Sequence, residues 1–149
     1  MIIMNISRRN YIMTRSFYDL IVSSTFESIE TMIPGISSSQ KEHPLSVLTA
    51  VEIGVIGEVE GRLLIEGNEE VFKEMGVALY GMNLEGEMLS SFIGEFANMV
   101  AGQVATSLSS KGMAMDITPP RVTGLQSKAK IFAEQPVGML KVSFLEPTA

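Results

Sequence analysis

Apolar positions along the chain follow a helical rhythm at both ends of its first two thirds and a strand-like one between. Over residues 16–32, Leu20, Ile21, Phe26 and Ile29 recur at helical intervals, and Pro34-Gly35 stops the pattern. Ser16 with Asp19 three residues later resembles a capping box. Residues 37–43 are polar and read as a loop. Residues 45–56 (LSVLTAVEIGVI) are rich in β-branched side chains and read as a strand, joined by a glycine-containing turn to a second at residues 61–66 (GRLLIE). Asn68 offers an N-cap for a short helix at residues 69–80, in which Gly76 is a weak point. The longest helical pattern covers residues 84–111, with Asn83 as its cap and Gly112 as its stop. At about 1.5 Å per residue it would span about 40 Å. Pro119-Pro120 closes the next connection, and three short strands follow, around residues 121–124, 127–134 and 139–145.

A helix followed by a strand pair thus occurs twice. This predicts an α+β, two-layer fold with a pseudo-two-fold repeat, its two long helices packed on one face of a mostly antiparallel sheet. Residues 16–149 read as a single domain. Residues 1–15 read as an N-terminal extension with no assigned element: a strand, a helical turn and a partly disordered tail all fit, and Met4 and Met13 are alternative starts.

The most informative stretch is residues 91–102, SFIGEFANMVAG, midway along the long helix. At about 100° per residue, Ser91, Glu95, Asn98 and Gly102 fall within a sector of roughly 60°. Gly94, Ala101 and Ala105 border it, while Phe92, Ile93, Phe96, Met99 and Val100 point away. Met88 and Met99 are expected in the core. A solvated helix face normally carries many long charged side chains; this one is small apart from one acid and one amide. Two readings stand: close packing against another helix, or a surface that a partner approaches. For Gly102 the choice lies between close packing against the sheet and leaving room for a partner. For residues 118–121, the choice lies between a rim beside the strip and a plain connection.

Composition narrows the chemistry. The 149 residues are 46% hydrophobic and 19% charged, as in a globular chain, and carry a net charge of −6 with no Lys/Arg run, which argues against nucleic acid. No run reaches the roughly 18 apolar residues of a membrane span. Arg8, Arg9 and Arg15 follow the first apolar residues instead of preceding them, unlike a secretion signal. With zero cysteines and His43 the single histidine, disulfides, thiolate chemistry, Ser-His-Asp sites and His-rich metal sites are excluded. An amide does not titrate, so Glu95 and Asn98 are no acid–base dyad, and they are too few hard ligands for a metal. An amide can, however, hold one water in a fixed orientation through its donor and acceptor. Phosphoryl transfer suits such a division of labour, because positioning and charge stabilisation dominate it. The partner would then supply the metal and the phosphoryl group.

At Ser91, Glu95 and Asn98 the chain resembles the chemotaxis phosphatases of the CheC and CheX type. Their helix motif is Asp or Ser, three residues, Glu, two residues and Asn, with a proline further on. Here Pro119 and Pro120 stand 21 and 22 places after Asn98. GEFANMVAGQ, Lys111-Gly112, DITPPRVTG over residues 116–124, FESIETM and GEVEGRLLIEG are similar to the CheX branch, so the likeness covers about residues 16–146. It implies a phosphatase that hydrolyses the aspartyl-phosphate of a CheY-like receiver domain. Asn98 would orient the attacking water and Glu95 would pair with the receiver's lysine. Ser91, Gly94, Gly102 and Pro120 would meet the partner. It further implies no cofactor of its own, Mg²⁺ in the receiver, a cytoplasmic location and a homodimer joined through sheet edges. Ser23, Glu27 and Glu30 repeat the motif spacing on the first helix. Glu30 replaces the amide there and would repel a phosphoryl group, so one active site is expected. The rivals are a non-catalytic receiver-docking module and a structural dimer subunit.

Overall fold

A stretch free of glycine and proline forms the first helix, α1 (Ile6–Met32). This computed structural model describes residues 6–38, 48–123 and 129–147. The helix expected to start at Ser16 begins at Ile6, so residues 6–15 continue it and Ser16 is internal, not a cap. Nothing in SRRNYIMTR breaks a helix, and Pro34-Gly35 ends it with a 3-10 turn at Ile36–Ser38. The polar loop beyond residue 38, with His43, and the first residues of the expected strand lie outside the described residues.

Next come β1 (Leu48–Gly57), β2 (Gly61–Asn68), α2 (Glu69–Tyr80) and α3 (Gly86–Ser110). Asn68 occupies the N-cap of α2 in extended conformation, without a side-chain cap bond. The cap of α3 is Glu85, not Asn83. Gly112 turns the chain after α3 with φ 84°. The chain closes with β3 (Met115–Ile117), β4 (Arg121–Thr123), β5 (Ile131–Val137) and β6 (Leu140–Leu145). The three-residue β3 was not foreseen, and the start of the strand expected from residue 127 lies outside the described residues.

The strands form one antiparallel sheet in the order β3-β1-β2-β6-β5, with β4 also on β1. Its centre is the β2–β6 pairing, where Ile65 faces Val142, so two hairpins meet back to back. Gly138, with φ 63°, makes the two-residue β5–β6 turn and lies hard against the Ile36 carbonyl, where a side chain has no room. The helices are exchanged between the halves: α1 lies over β5 and β6, and α3 lies over β1, β3 and β4. The two helices also touch each other. One apolar core fills the space beneath them, including Ile21, Ile29, Ile53, Leu63, Ile65, Phe96, Val142 and Phe144. The α+β expectation with two long helices on one face therefore holds.

On α1, Glu30 serves the fold. Its carboxylate accepts hydrogen bonds from the Gly35 and Ser37 N–H groups, each at 3.0 Å, and so ties down the turn after the helix. The Ser37 hydroxyl and these two amides hold its pKa below the ordinary carboxylate value. A lowered folded-state pKa contributes stability above the unfolded pKa and loses it as pH falls through the folded one. Glu30→Gln should therefore melt at a lower temperature than wild type at neutral pH. The gap should close on acidification below about pH 4, the unperturbed carboxylate range. Melting curves at both pH values check this, and a gap independent of pH would count against it.

Candidate functional site

The site is built by an irregularity at the sheet edge. β3 pairs with Val55–Gly57 at one end of β1 and β4 with Ala50–Glu52 at the other. Between them, Thr118, Pro119 and Pro120 stand opposite only Ile53 and Gly54, which is a bulge of one extra residue. Thr118 anchors it. Its N–H donates to the Gly54 carbonyl and its Oγ1 accepts from the Gly54 N–H, both at 2.9 Å. A Cβ on Gly54 would come within 2.7 Å of that Oγ1, so glycine is what lets the threonine in. Neither proline has an N–H to offer the ladder, which suits them to the bulge. Residues 118–120 thus connect two short edge strands through a raised middle, and Arg121 opens the second strand.

Pro120 rises onto α3 at Gly94. A Cβ on Gly94 would lie 3.7 Å from Pro120 Cγ. Gly94 is buried and Pro120 half-buried. Of that pair, only the proline is open to solvent.

The helix itself is held by one stripe. Leu89, Phe92, Ile93, Phe96, Val100, Val104 and Leu108 are all buried. On the opposite side Ser91, Glu95 and Asn98 are exposed, and Gly102 is half-buried. Nothing lies within 4 Å of a Cβ built on Gly102, so close packing against the sheet or another helix is not what keeps it small. The sector of four residues drawn from the sequence is an open face of α3, and among the described residues no helix is laid across it. Ala101, placed at its border, is fully buried. Gln103, one residue past Gly102, accepts a hydrogen bond from the Ser28 hydroxyl of α1 and pins the helices together.

Two side chains depart from the sequence reading. Met88 is 59% and Met99 37% exposed, although both were expected in the core. At about 100° per residue Met88 falls about 60° from Ser91 and beside Glu95, on the open sector. The wheel angle was the available signal, and the apolar residue type misled. Met88 lines a groove of about 380 Å³ with Tyr80, Leu84, Glu87, Ser91, Phe92 and Glu95, a grouping that no local pattern in the chain predicts. Of the first-half counterparts, Ser23 Oγ donates to the Leu20 carbonyl of its own helix, Glu27 is exposed, and Glu30 is engaged by the turn. No second acid–amide face exists on the described part of α1. Among the described residues no three His, Asp or Glu gather closely enough to hold a metal ion, and no helix is long and apolar enough to cross a membrane.

Comparison with known proteins agrees with this geometry. The family model described as chemotaxis phosphatase CheX matches residues 49–134. A CheY-P phosphatase CheX of Thermotoga maritima is 35% identical over 124 residues, covering 75% of this chain and 78% of that protein. In fold, the chain is similar to the chemotaxis protein CheX of Vibrio vulnificus, with TM-score 0.66 at 18% identity over 84% of this chain and 95% of that one. It is also similar to the Borrelia burgdorferi structure described as a CheX-CheY-BeF3-Mg+2 complex, with TM-score 0.61 at 17% identity over 87% of this chain and 96% of that one. The family model takes in more than half of the chain and the Thermotoga maritima relative covers 75% of it: the protein belongs to the CheX family of chemotaxis phosphatases.

Proposed function

We propose that this protein hydrolyses the aspartyl-phosphate of a CheY-like receiver domain, with Asn98 aligning the attacking water and Glu95 pairing with the receiver's active-site lysine. The observation that carries the reading is the exposure of Glu95 and Asn98 on one face of α3, with neither bound to another side chain among the described residues. The relative in Thermotoga maritima bears the name of a CheY-P phosphatase, which supports the same substrate class here. The Borrelia burgdorferi complex joins a CheX to a CheY with BeF3 and Mg²⁺, which supports a receiver as partner and the metal as the receiver's.

The division of labour follows from the chemistry of each group. The phosphoryl group and its Mg²⁺ come with the receiver, and positioning a water in line removes much of the entropic barrier. Asn98 does this with a donor and an acceptor on one amide. Glu95 is one turn earlier on the same face, where its charge can meet a lysine as the surfaces close. Ser91, Gly102 and Pro120 complete the surface that the receiver covers, and Gly94 makes room for Pro120. The proposal places the protein in the cytoplasm, with its receiver, and as a homodimer. Both sheet edges are interrupted, one by Thr118–Pro120 and the other by Pro136 and a bulge between Ile131 and Ala133. An edge-to-edge joint would therefore be short and need side-chain contacts beside it.

Asn98→Ala should slow decay of a phosphorylated receiver to nearly its spontaneous rate, a loss of at least about 100-fold or about 2.7 kcal/mol. It should bind a beryllofluoride-activated receiver within about threefold of wild type, a difference under 1 kcal/mol. Glu95→Ala should lose both turnover and binding. Wild-type protein that binds the receiver but leaves its decay unchanged would make this a docking module instead.

Gly102 gives an independent check. Its open surroundings predict that Gly102→Ala stabilises the free protein by about 0.8–1 kcal/mol through helix propensity. Gly102→Leu should keep the fold and raise KM for the phosphorylated receiver. Thermal melts and initial rates measure the two effects separately. Wild-type turnover by Gly102→Leu would place the strip outside the contact.

A further inference from the structure

The groove beside Glu95 carries an inference that rests on the reading above. Its floor is Leu84 and Phe92, both buried, and its walls are Tyr80 and Met88, 49% and 59% exposed. The Tyr80 ring stands edge-on to Phe92 with centroids 5.7 Å apart, which holds one wall in place. Met82, 50% exposed, lies in the connection between Tyr80 and α3, so apolar surface gathers around this turn. Ser91 and Glu95 belong both to the motif face and to the groove, and the two surfaces are therefore continuous. Glu85, Glu87 and Glu95 are exposed at or beside it, and α3 carries no Lys or Arg at all.

The geometry points to this groove as the specificity contact for the receiver, taking an apolar side chain that stands next to basic residues on the receiver's surface. Size argues for the receiver and against a separate ligand. Met88 is ten residues from Asn98, or about 15 Å along the helix. A stable interface covers about 800 Å² on each partner, a disc of about 16 Å radius. A receiver seated with its phosphoryl group at Asn98 therefore reaches the groove. In the other direction along α3, beyond Met99, the exposed side chains are small or polar, such as Gln103, Thr106 and Ser109, so the larger apolar surface lies on the Met88 side. Aromatic and methionine side chains in such pockets dominate interface energetics, while the acidic rim selects the charge of the partner and steers its approach. On this view Glu95 and Asn98 act on whatever phosphorylated receiver reaches them, and the groove decides which receiver does.

The test separates contact from chemistry. Met88→Lys alters an exposed side chain and should leave the melting temperature unchanged. It should weaken binding of a beryllofluoride-activated receiver at least about tenfold and raise KM for the phosphorylated one similarly, with kcat within about twofold of wild type. Tyr80→Ala is the second variant, read only against its own melting curve because its ring packs on Phe92. Unchanged binding and KM in both variants would overturn the inference while leaving the phosphatase reading intact. Failure of wild type to speed decay while Met88→Lys still loses binding would sink the catalytic reading and keep the groove. Wild type that binds no receiver overturns both. Sedimentation of wild type and Met88→Lys covers the remaining occupant: a change in self-association would make the groove a contact between copies of this chain, against the proposal.

Discussion

Everything at the site depends on α3 being anchored from one side only. The buried stripe from Leu89 to Leu108 seats the helix on β1 and the edge strands. Each such side chain contributes about 1.5–3 kcal/mol by leaving water. That stripe and the Ser28–Gln103 hydrogen bond to α1 hold the helix without using the face that bears Glu95 and Asn98. Glu95 and Asn98 hold no part of the core, and their Cα positions are nevertheless set by a rigid element. A site on a helix is more sharply positioned than one on a loop, and this one obtains that sharpness from residues that never touch the partner.

The second constraint is the exchange of helices between halves. α1 covers the second hairpin and α3 the first, so neither half has a complete core by itself. The two long helices carry faces of similar spacing, and these faces are used differently. On α3 the acid and amide stay free. On α1 the third position is Glu30, and its charge is spent on the amides of Gly35 and Ser37. A carboxylate engaged in closing a turn cannot also face an anion, and its charge would repel a phosphoryl group if it did. The asymmetry of the two halves thus follows from one side chain and the turn beside it.

How much of this was legible beforehand differs by element. The hairpins and α3 follow from periodicity, because strands alternate and helices repeat over many residues. The start of α1 was not legible, since SRRNYIMTR has no clear apolar face and only the absence of a breaker argues for helix. β3 is three residues long and exists by pairing with β1, a long-range contact that no local window contains. At the site, the open sector of Ser91, Glu95, Asn98 and Gly102 was readable because it needs only the helical angle. Gly94 was not, because its burial depends on where Pro120 lands after a bulge more than 20 residues on. Met88 and Met99 failed for another reason. Methionine is apolar, yet hydrophobic residues remain common on protein surfaces, so residue type is weaker evidence than the angle at which the helix presents it.

The same contrast explains why a surface with almost no depth is suited to chemistry in trans. An active site that holds its own substrate needs a cavity, and there the protein must bear the cost of burying polar groups. Here the acid and amide are exposed in the free protein, and on the proposed mechanism they would stay in water until the receiver arrives with the reactive centre. Water is expelled only as the two surfaces meet, and the electrostatic contacts strengthen only in that state. On the proposed mechanism, the cost of desolvating Glu95 would be offset by the receiver's lysine, and the charge of the phosphoryl group by the receiver's metal. A receiver without its phosphoryl group would leave Asn98 desolvated beside nothing reactive, which makes release after hydrolysis favourable. A flat helix face, a missing long side chain at Gly102 and an apolar groove off to one side are what such an arrangement requires: room to close, and an anchor away from the atoms that react.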